Sequence, residues 1–134
     1  MKILVTGEKG YIGSVLIPLL RDAGFGAIGL DTDYFERCTF SGTTPEIDST
    51  RKDTRDIVIE DLANCDAVIH LAGLSNDPMG DYRPQVTEEI NSEASIALAK
   101  LAKRAGVKRF LFASSCSNYG AAGDKFLTED AQFN

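Results

Sequence analysis

A doubly wound α/β fold, a parallel sheet with helices on both faces, is what this sequence predicts, and three observations predict it. Short apolar runs alternate along the chain with longer segments of helical period, the pattern of strands joined by crossover helices. The run Lys2-Ile3-Leu4-Val5-Thr6 feeds directly into a glycine-rich turn and then a helix. The run Ala67-Val68-Ile69-His70-Leu71 has almost no polar interruption, as expected of a strand covered on both sides. With 134 residues, 43% of them hydrophobic, the chain suits one domain over residues 1–134 and one ordinary core.

Taken in order, Lys2 to Thr6 is the first strand. Ile12 to about Ala23 reads as a helix closed by Gly24, with Ile12, Val15, Leu16, Leu19 and Leu20 on one apolar stripe. Pro18 lies past the first turn, removes the backbone bond to Ser14 and costs on the order of 3 kcal/mol in an ordinary helix, so a local bend is expected. Gly26 to Leu30 is the second strand, ending at Asp31. Thr32 to Thr50 is polar connection, with a weakly marked third strand just before Asp53. Ile57 to Asn64 suggests a short helix, and Ala67 to Leu71 is the next strand. Leu74 to Pro84 contains Asn76, Asp77, Pro78 and Gly80 and reads as an irregular loop, whose stretch Ser75 to Gly80 is a candidate substrate contact or, equally, an ordinary solvent loop. From about Gln85 to Ala105, the residues Val86, Ile90, Ala94, Ala97, Leu98, Leu101 and Ala105 step by three or four along a long amphipathic helix. Glu88, Glu89 and Glu93 lie toward its start, Lys100, Lys103 and Arg104 toward its end, and Gly106 stops it. Arg109 to Ala113 is the following strand, and everything beyond Gly120 reads as loop.

A net charge of -6 repels phosphate backbones and anionic headgroups, so nucleic acid and membrane partners are not expected. Cys38, Cys65 and Cys116 are odd in number and widely spaced, with no Cys-x-x-Cys pair and one His in the chain, so neither a disulfide framework nor a metal site is indicated. Reduced thiols and a first apolar run too short for a signal peptide or a membrane span make a cytoplasmic location the expectation.

The strongest local signal is Thr6-Gly7-Glu8-Lys9-Gly10-Tyr11-Ile12-Gly13, set between the first strand and the first helix. Gly7 permits the tight turn, Gly10 lets the backbone approach a pyrophosphate, and Gly13 allows close packing of helix on strand, with free N–H groups aimed at the phosphates. A glycine-rich solvent turn is the plainer alternative. Asp31, at the end of the second strand, can accept from both hydroxyls of an adenosine ribose and would repel a 2′-phosphate. NAD is therefore favoured over NADP. Asp33 reinforces that preference, Arg37 is the nearby cation that argues against it, and a cap or turn aspartate is the competing role for Asp31.

With these residues the chain resembles the extended short-chain dehydrogenase/reductase superfamily, and within it the NAD-dependent epimerase/dehydratase group that includes the UDP-galactose 4-epimerases. The resemblance covers essentially the whole chain and rests also on Asp53-Thr54-Arg55-Asp56, His70-Leu71-Ala72-Gly73, Asn91, and Ser114-Ser115 ahead of Tyr119-Gly120. It implies a Rossmann-type sheet. It further implies that Tyr11 and Ile12 meet the pyrophosphate through their backbone and that Asp53 and Thr54 border the adenine. Leu71, Ala72 and Gly73 would pass under the nicotinamide-side ribose, with Asn91 and Ser114 near the cofactor. Ser115, four residues before Tyr119, would be the catalytic hydroxyl beside the sugar oxygen that is oxidised. Each has a structural alternative: a turn acid for Asp53, a loop-satisfying amide for Asn91, a strand-end backbone partner for Ser115. His70 reads as a packed, hydrogen-bonded strand-end residue rather than a catalyst, and Cys116 as a small buried filler. Ala94 and Ser95 stand where the family usually has Gly and Thr.

The family's Tyr-x-x-x-Lys pair does not occur, because Tyr11, Tyr34, Tyr82 and Tyr119 are followed four positions later by Val15, Cys38, Val86 and Gly123. The expectation is a sheet truncated before its last strand and before the substrate-binding part, able to bind cofactor but not to turn over alone. In the full-length protein the resemblance implies NAD-dependent oxidation of a sugar-nucleotide hydroxyl, leading to epimerisation or dehydration, with a nucleotide-sugar substrate and a homodimer through the 85–105 helix. A non-catalytic NAD-binding sensor or scaffold of the same fold is the alternative.

Overall fold

Alternate side chains of the first strand enter two different cores, and this places a helical layer on each side of the sheet. The structure is a computed structural model and describes residues 1–36, 38, 47–120, 123 and 126–133. Its elements in chain order are β1 (Lys2–Thr6), α1 (Tyr11–Asp22), β2 (Gly26–Asp31), β3 (Ser49–Arg51), β4 (Ala67–His70), α2 (Asp77–Tyr82), α3 (Pro84–Glu88), α4 (Ala94–Arg104) and β5 (Arg109–Phe112). The strands form one parallel sheet in the order β3-β2-β1-β4-β5. Ile3 and Val5 pack with Ile17 of α1 and with Ala67, whereas Leu4 packs with Leu30, Leu62, Val68 and, from α4, Leu98 and Ala102. The doubly wound expectation is met.

Because β1 has β2 on one side and β4 on the other, the order of strands reverses at β1. The crevice at the carboxyl ends of β1 and β4 is thus the topological switch point, where open α/β sheets take their ligands. Both long helices close as the glycines suggest. Phe25 N–H donates to Leu20 O at 2.9 Å and Gly24 N–H to Arg21 O at 2.9 Å; Val107 and Gly106 repeat the pattern on Ala102 and Lys103 at 3.0 and 3.2 Å.

Four elements differ from the expectation. The buried face of α1 is not the stripe read from the sequence: Gly13 and Ile17 are buried and Leu16 and Leu20 half-buried, while Ile12, Val15 and Leu19 are 58%, 62% and 59% exposed. Gly13 sets this phase, since the face without a Cβ is the one that can lie against the glycine turn. The helix itself runs through Pro18 without a break.

In place of a helix over 57–64 there is one 3-10 turn, Ile59–Leu62, preceded by another at Thr54–Asp56. The Asp61 carboxylate accepts from Val58 N–H and holds the Lys52 ammonium at 2.7 Å, closing the second turn after one revolution. The Leu74 to Pro84 loop contains α2, with Pro78 in its first turn, where a missing N–H is no loss, and Gly80 N–H donating to Asn76 O at 3.0 Å. Pro84 then opens α3 and pushes Arg83 to φ -143°, which separates the two helices.

The long helix contains one π turn, Glu89–Glu93, between α3 and α4. The extra residue shifts the phase, so Ala97 is exposed where the sequence placed it inward, and Ala102 is buried. Arg37 and residues 39–46 of the expected connection lie outside the described residues. So do 121, 122, 124, 125 and 134 of the expected terminal loop, whose residues 126–133 hold neither helix nor strand.

Candidate functional site

Every site residue read from the sequence, apart from Asn91, follows or ends a strand at the carboxyl edge of the sheet: 7–13 after β1, 31 and 33 at β2, 53 and 54 after β3, 71–73 after β4, 114 and 115 after β5. The glycine turn lies at the centre. Gly7 has φ +73° and donates its N–H to Leu30 O at 2.8 Å, and a Cβ there would lie 2.7 Å from Ala72 N. Only glycine fits that approach of the turn to the exit of β4. Gly10 is the N-cap of α1 and supplies no side-chain cap, so the N–H groups of Tyr11, Ile12 and Gly13 in the first turn have no intrahelical acceptor. With the positive end of the helix dipole behind them, they form a cradle for an anionic group.

The carboxylate of Asp31 is oriented by backbone, accepting from Lys9 N–H at 3.1 Å on Oδ2 and from Asp33 N–H at 2.8 Å on Oδ1. Asp33 has φ +60° and pairs with the Lys9 ammonium at 2.5 Å. Nothing local to Lys9 in the sequence points to this partner 24 residues away. Asp53 is held by its own turn: its carboxylate accepts from Arg55 N–H at 2.9 Å and from the guanidinium at 3.0 and 2.8 Å. The Arg55 guanidinium beside it holds the Asp53 carboxyl below the usual carboxylate range. The turn-acid role is therefore present, and an adenine amine would have to share oxygens already in use. Thr54 is buried beside it.

Beneath the exit of β4 runs a buried polar chain. Ser95 donates its one hydroxyl hydrogen to Asn91 O at 2.9 Å, so at 2.8 Å it accepts from His70 Nε2–H. The neutral ring then has its lone pair on Nδ1, which accepts from Thr6 Oγ1–H at 2.6 Å, and Thr6 Oγ1 in turn accepts from Ala72 N–H at 3.4 Å. Burial pushes the His70 pKa down, which agrees with the neutral tautomer the chain of donors requires. His70 is the packed strand-end residue the sequence suggested, and its ring stacks on Phe112 with 5.7 Å between centroids. Asn91, in the π turn, takes the loop-satisfying role: its Oδ1 accepts from Leu74 N–H at 2.7 Å and its Nδ2–H donates to Leu74 O at 2.8 Å. A Cβ on Gly73 would lie 3.1 Å from that Oδ1, so the clamp also requires the small residue. Leu71 N–H donates to Thr6 O at 3.1 Å, continuing the sheet pairing one residue into the Leu71-Ala72-Gly73 segment.

Ser114 and Ser115 are exposed just beyond β5. Ser115 Oγ accepts from Ser117 N–H at 3.1 Å as the N-cap of the 3-10 turn Cys116–Tyr119 and donates to Ser117 Oγ at 2.9 Å, and Ser114 Oγ accepts from Asn118 Nδ2–H at 2.9 Å. The hydroxyl assigned to chemistry thus has a local partner to exchange. Cys116 is exposed, not the buried filler expected, because the whole stretch 111–118 around it is exposed. Among the described residues there is no cluster of His, Cys, Asp or Glu able to hold a metal ion, and no helix long and apolar enough to cross a membrane.

A family model described as "NAD dependent epimerase/dehydratase family" matches residues 3–134. A UDP-glucose 4-epimerase from Azospirillum brasilense is 33% identical over 97% of the chain, which spans 38% of that enzyme. Among solved structures, a UDP-glucose-4-epimerase from Stenotrophomonas maltophila with bound NAD and formylated UDP-arabinopyranose superimposes with a TM-score of 0.85, at 30% identity over 100% of this chain and 43% of that one. The dTDP-glucose 4,6-dehydratase DesIV from Streptomyces venezuelae, with NAD and TYD bound, gives 0.86 at 25% identity over 100% and 45%. The chain spans less than half the length of each of these relatives.

Proposed function

Since the chain belongs to the NAD dependent epimerase/dehydratase family, we propose that it forms the NAD-binding part of a sugar-nucleotide epimerase or dehydratase. The observation that carries the reading is the uncapped start of α1 at the switch point, with the oriented Asp31 carboxylate beside it. Tyr11, Ile12 and Gly13 would hold the pyrophosphate and Asp31 the adenosine ribose, supported by Asp33. Gly7 and Gly10 would leave the backbone clear. Asp53 and Thr54 would border the adenine; Leu71, Ala72, Gly73 and Ser114 would lie along the nicotinamide half, with Asn91 keeping that segment in place. Bound NAD would supply the hydride acceptor. Ser115 would let go of Ser117 and donate to the sugar oxygen.

Calorimetric titration of the whole protein tests the cofactor reading. NAD is expected to bind at least about tenfold tighter than NADP, or about 1.4 kcal/mol. Tighter NADP binding rejects the role given to Asp31, and binding of neither rejects the reading. Ser115→Ala should leave NAD affinity within about twofold while lowering turnover of the whole protein by about a hundredfold or more; unchanged turnover rejects its assignment. A homodimer through the 85–105 helix is part of the same proposal, supported by the exposed Ile96 of α4. Sedimentation showing a monomer at all concentrations of the whole protein would remove it.

A further inference from the structure

Glu8 is a charged residue type in the middle of the glycine turn, yet it is only 2% exposed. Its Oε1 is hydrogen-bonded to Ser49 Oγ of β3, and its Oε2 is buried with no partner among the described residues. The pocket for this carboxyl exists because residue 29 is glycine: a Cβ on Gly29 of β2 would lie 2.5 Å from the Glu8 carboxyl carbon. On the other side, a Cβ on Gly13 of α1 would lie 2.5 Å from Glu8 Cα. One residue therefore meets all three elements that shape the proposed pyrophosphate and ribose sites, its side chain lying against β2 and β3 and its backbone against the first turn of α1.

We propose that Glu8 is a positioning residue for the dinucleotide turn, wedged between Gly29 and Ser49 and held as the neutral acid when NAD is bound, so that binding takes up a proton at any pH where the free chain has Glu8 ionised. An ionised carboxylate with a bare buried oxygen is disfavoured there. Ser49 Oγ–H donates to Oε1, the direction that serves the carboxylate; in the acid the same contact can reverse, Oε1–H donating to Ser49 Oγ, and only a carbonyl-type oxygen is then left unpaired. Burial pushes the Glu8 carboxyl above its usual range, the Ser49 contact opposes, Asp31 adds to the rise, and Lys9 opposes weakly while its ammonium is engaged by Asp33. β3 contributes Ser49 and, one residue before it, Asp48, whose carbonyl accepts from Gly29 N–H; α1 meets Glu8 with Gly13, which brings no charge. A pyrophosphate bound at the start of α1 adds negative charge next to the carboxyl and raises its proton affinity further. By linkage, NAD affinity must then fall as pH rises through the Glu8 titration, by at most about tenfold per pH unit for one proton.

The proposal rests on the NAD reading above, and the test keeps the two apart. Calorimetry of the whole protein with NAD is run from pH 5 to pH 9 in buffers of different ionisation heat, for the native sequence, Glu8→Gln and Ser49→Ala. The native chain is expected to take up a proton on binding and to lose affinity as pH rises. Glu8→Gln, isosteric and permanently neutral, should bind without that slope, and Ser49→Ala should move the pH midpoint. Binding without proton uptake, or a slope that survives Glu8→Gln unchanged, overturns the role of Glu8 while leaving NAD as the ligand. Absence of NAD binding by all three at every pH overturns both. Denaturation without NAD supplies an independent readout, since the native chain should lose stability relative to Glu8→Gln as pH rises above the ordinary glutamate range; parallel curves overturn the buried neutral acid itself.

Discussion

Replacing Gly13 by alanine is expected to weaken NAD binding by about a hundredfold, equivalent to about 2.7 kcal/mol, and to lower the stability of the chain by about 1–3 kcal/mol. The new Cβ would lie 2.5 Å from Glu8 Cα, from Glu8 O and from Gly7 O. All three are turn backbone, so no flexible side chain can give way. Relief has to come from moving the first turn of α1 off the glycine turn. That motion displaces the N–H groups of Tyr11, Ile12 and Gly13, the proposed anion cradle. Gly26→Ala is the matched control, because its Cβ would meet Met1 O at 3.7 Å, an ordinary contact. That variant should keep both affinity and melting temperature. Native-like NAD binding by Gly13→Ala would show that the cradle is not at the start of α1.

The same glycine shows what could be read in the chain and what could not. Strands β1, β2, β4 and β5 are legible because each is an apolar run bounded by glycine or charge, and the helix closures at Gly24 and Gly106 because a left-handed residue is needed there. The face of α1 is not legible by period alone. Apolar residues at 12, 15, 16, 17, 19 and 20 satisfy two stripes offset by one position, and the choice between them is made by a contact of Gly13 with the turn. The π turn leaves no mark on composition, since it accompanies a tertiary bond pair, Asn91 to Leu74, formed across 17 residues. The glycine spacing marks the site but carries no information about the residues between the glycines. Lys9 and Glu8 acquire their roles from Asp33 and Ser49, 24 and 41 residues on. Asp53, Asn91 and Ser115 illustrate the reverse: each has a local hydrogen-bonding role that its sequence neighbourhood already allowed, and ligand contacts would be added to that role.

His70→Ala is expected to cost about 3–5 kcal/mol, out of a total stability for such domains of about 5–15 kcal/mol. The imidazole is 1% exposed, so its removal opens a cavity next to Phe112. It also takes the acceptor from Thr6 Oγ1–H and the donor from Ser95 Oγ, in a place water does not reach freely. The native ring gives the pH dependence its sign. Burial depresses the folded-state pKa below the ordinary 6.5, and protonation would force Nδ1–H against a Thr6 oxygen whose hydrogen then has no acceptor in the chain of bonds. Well above pH 6.5 both folded and unfolded states are neutral and the full stability is present. As pH falls from there toward the folded-state pKa the unfolded chain takes the proton first, and stability is lost at up to about 1.4 kcal/mol per pH unit. That fall should be missing in His70→Ala, which starts lower and loses less on the acid side. Because His70 is the single histidine of the sequence, its ring resonances titrate without ambiguity. A midpoint at or above 6.5, or a signal showing the proton on Nδ1 at neutral pH, would break the donor chain from Ala72 through Thr6, His70 and Ser95 to Asn91.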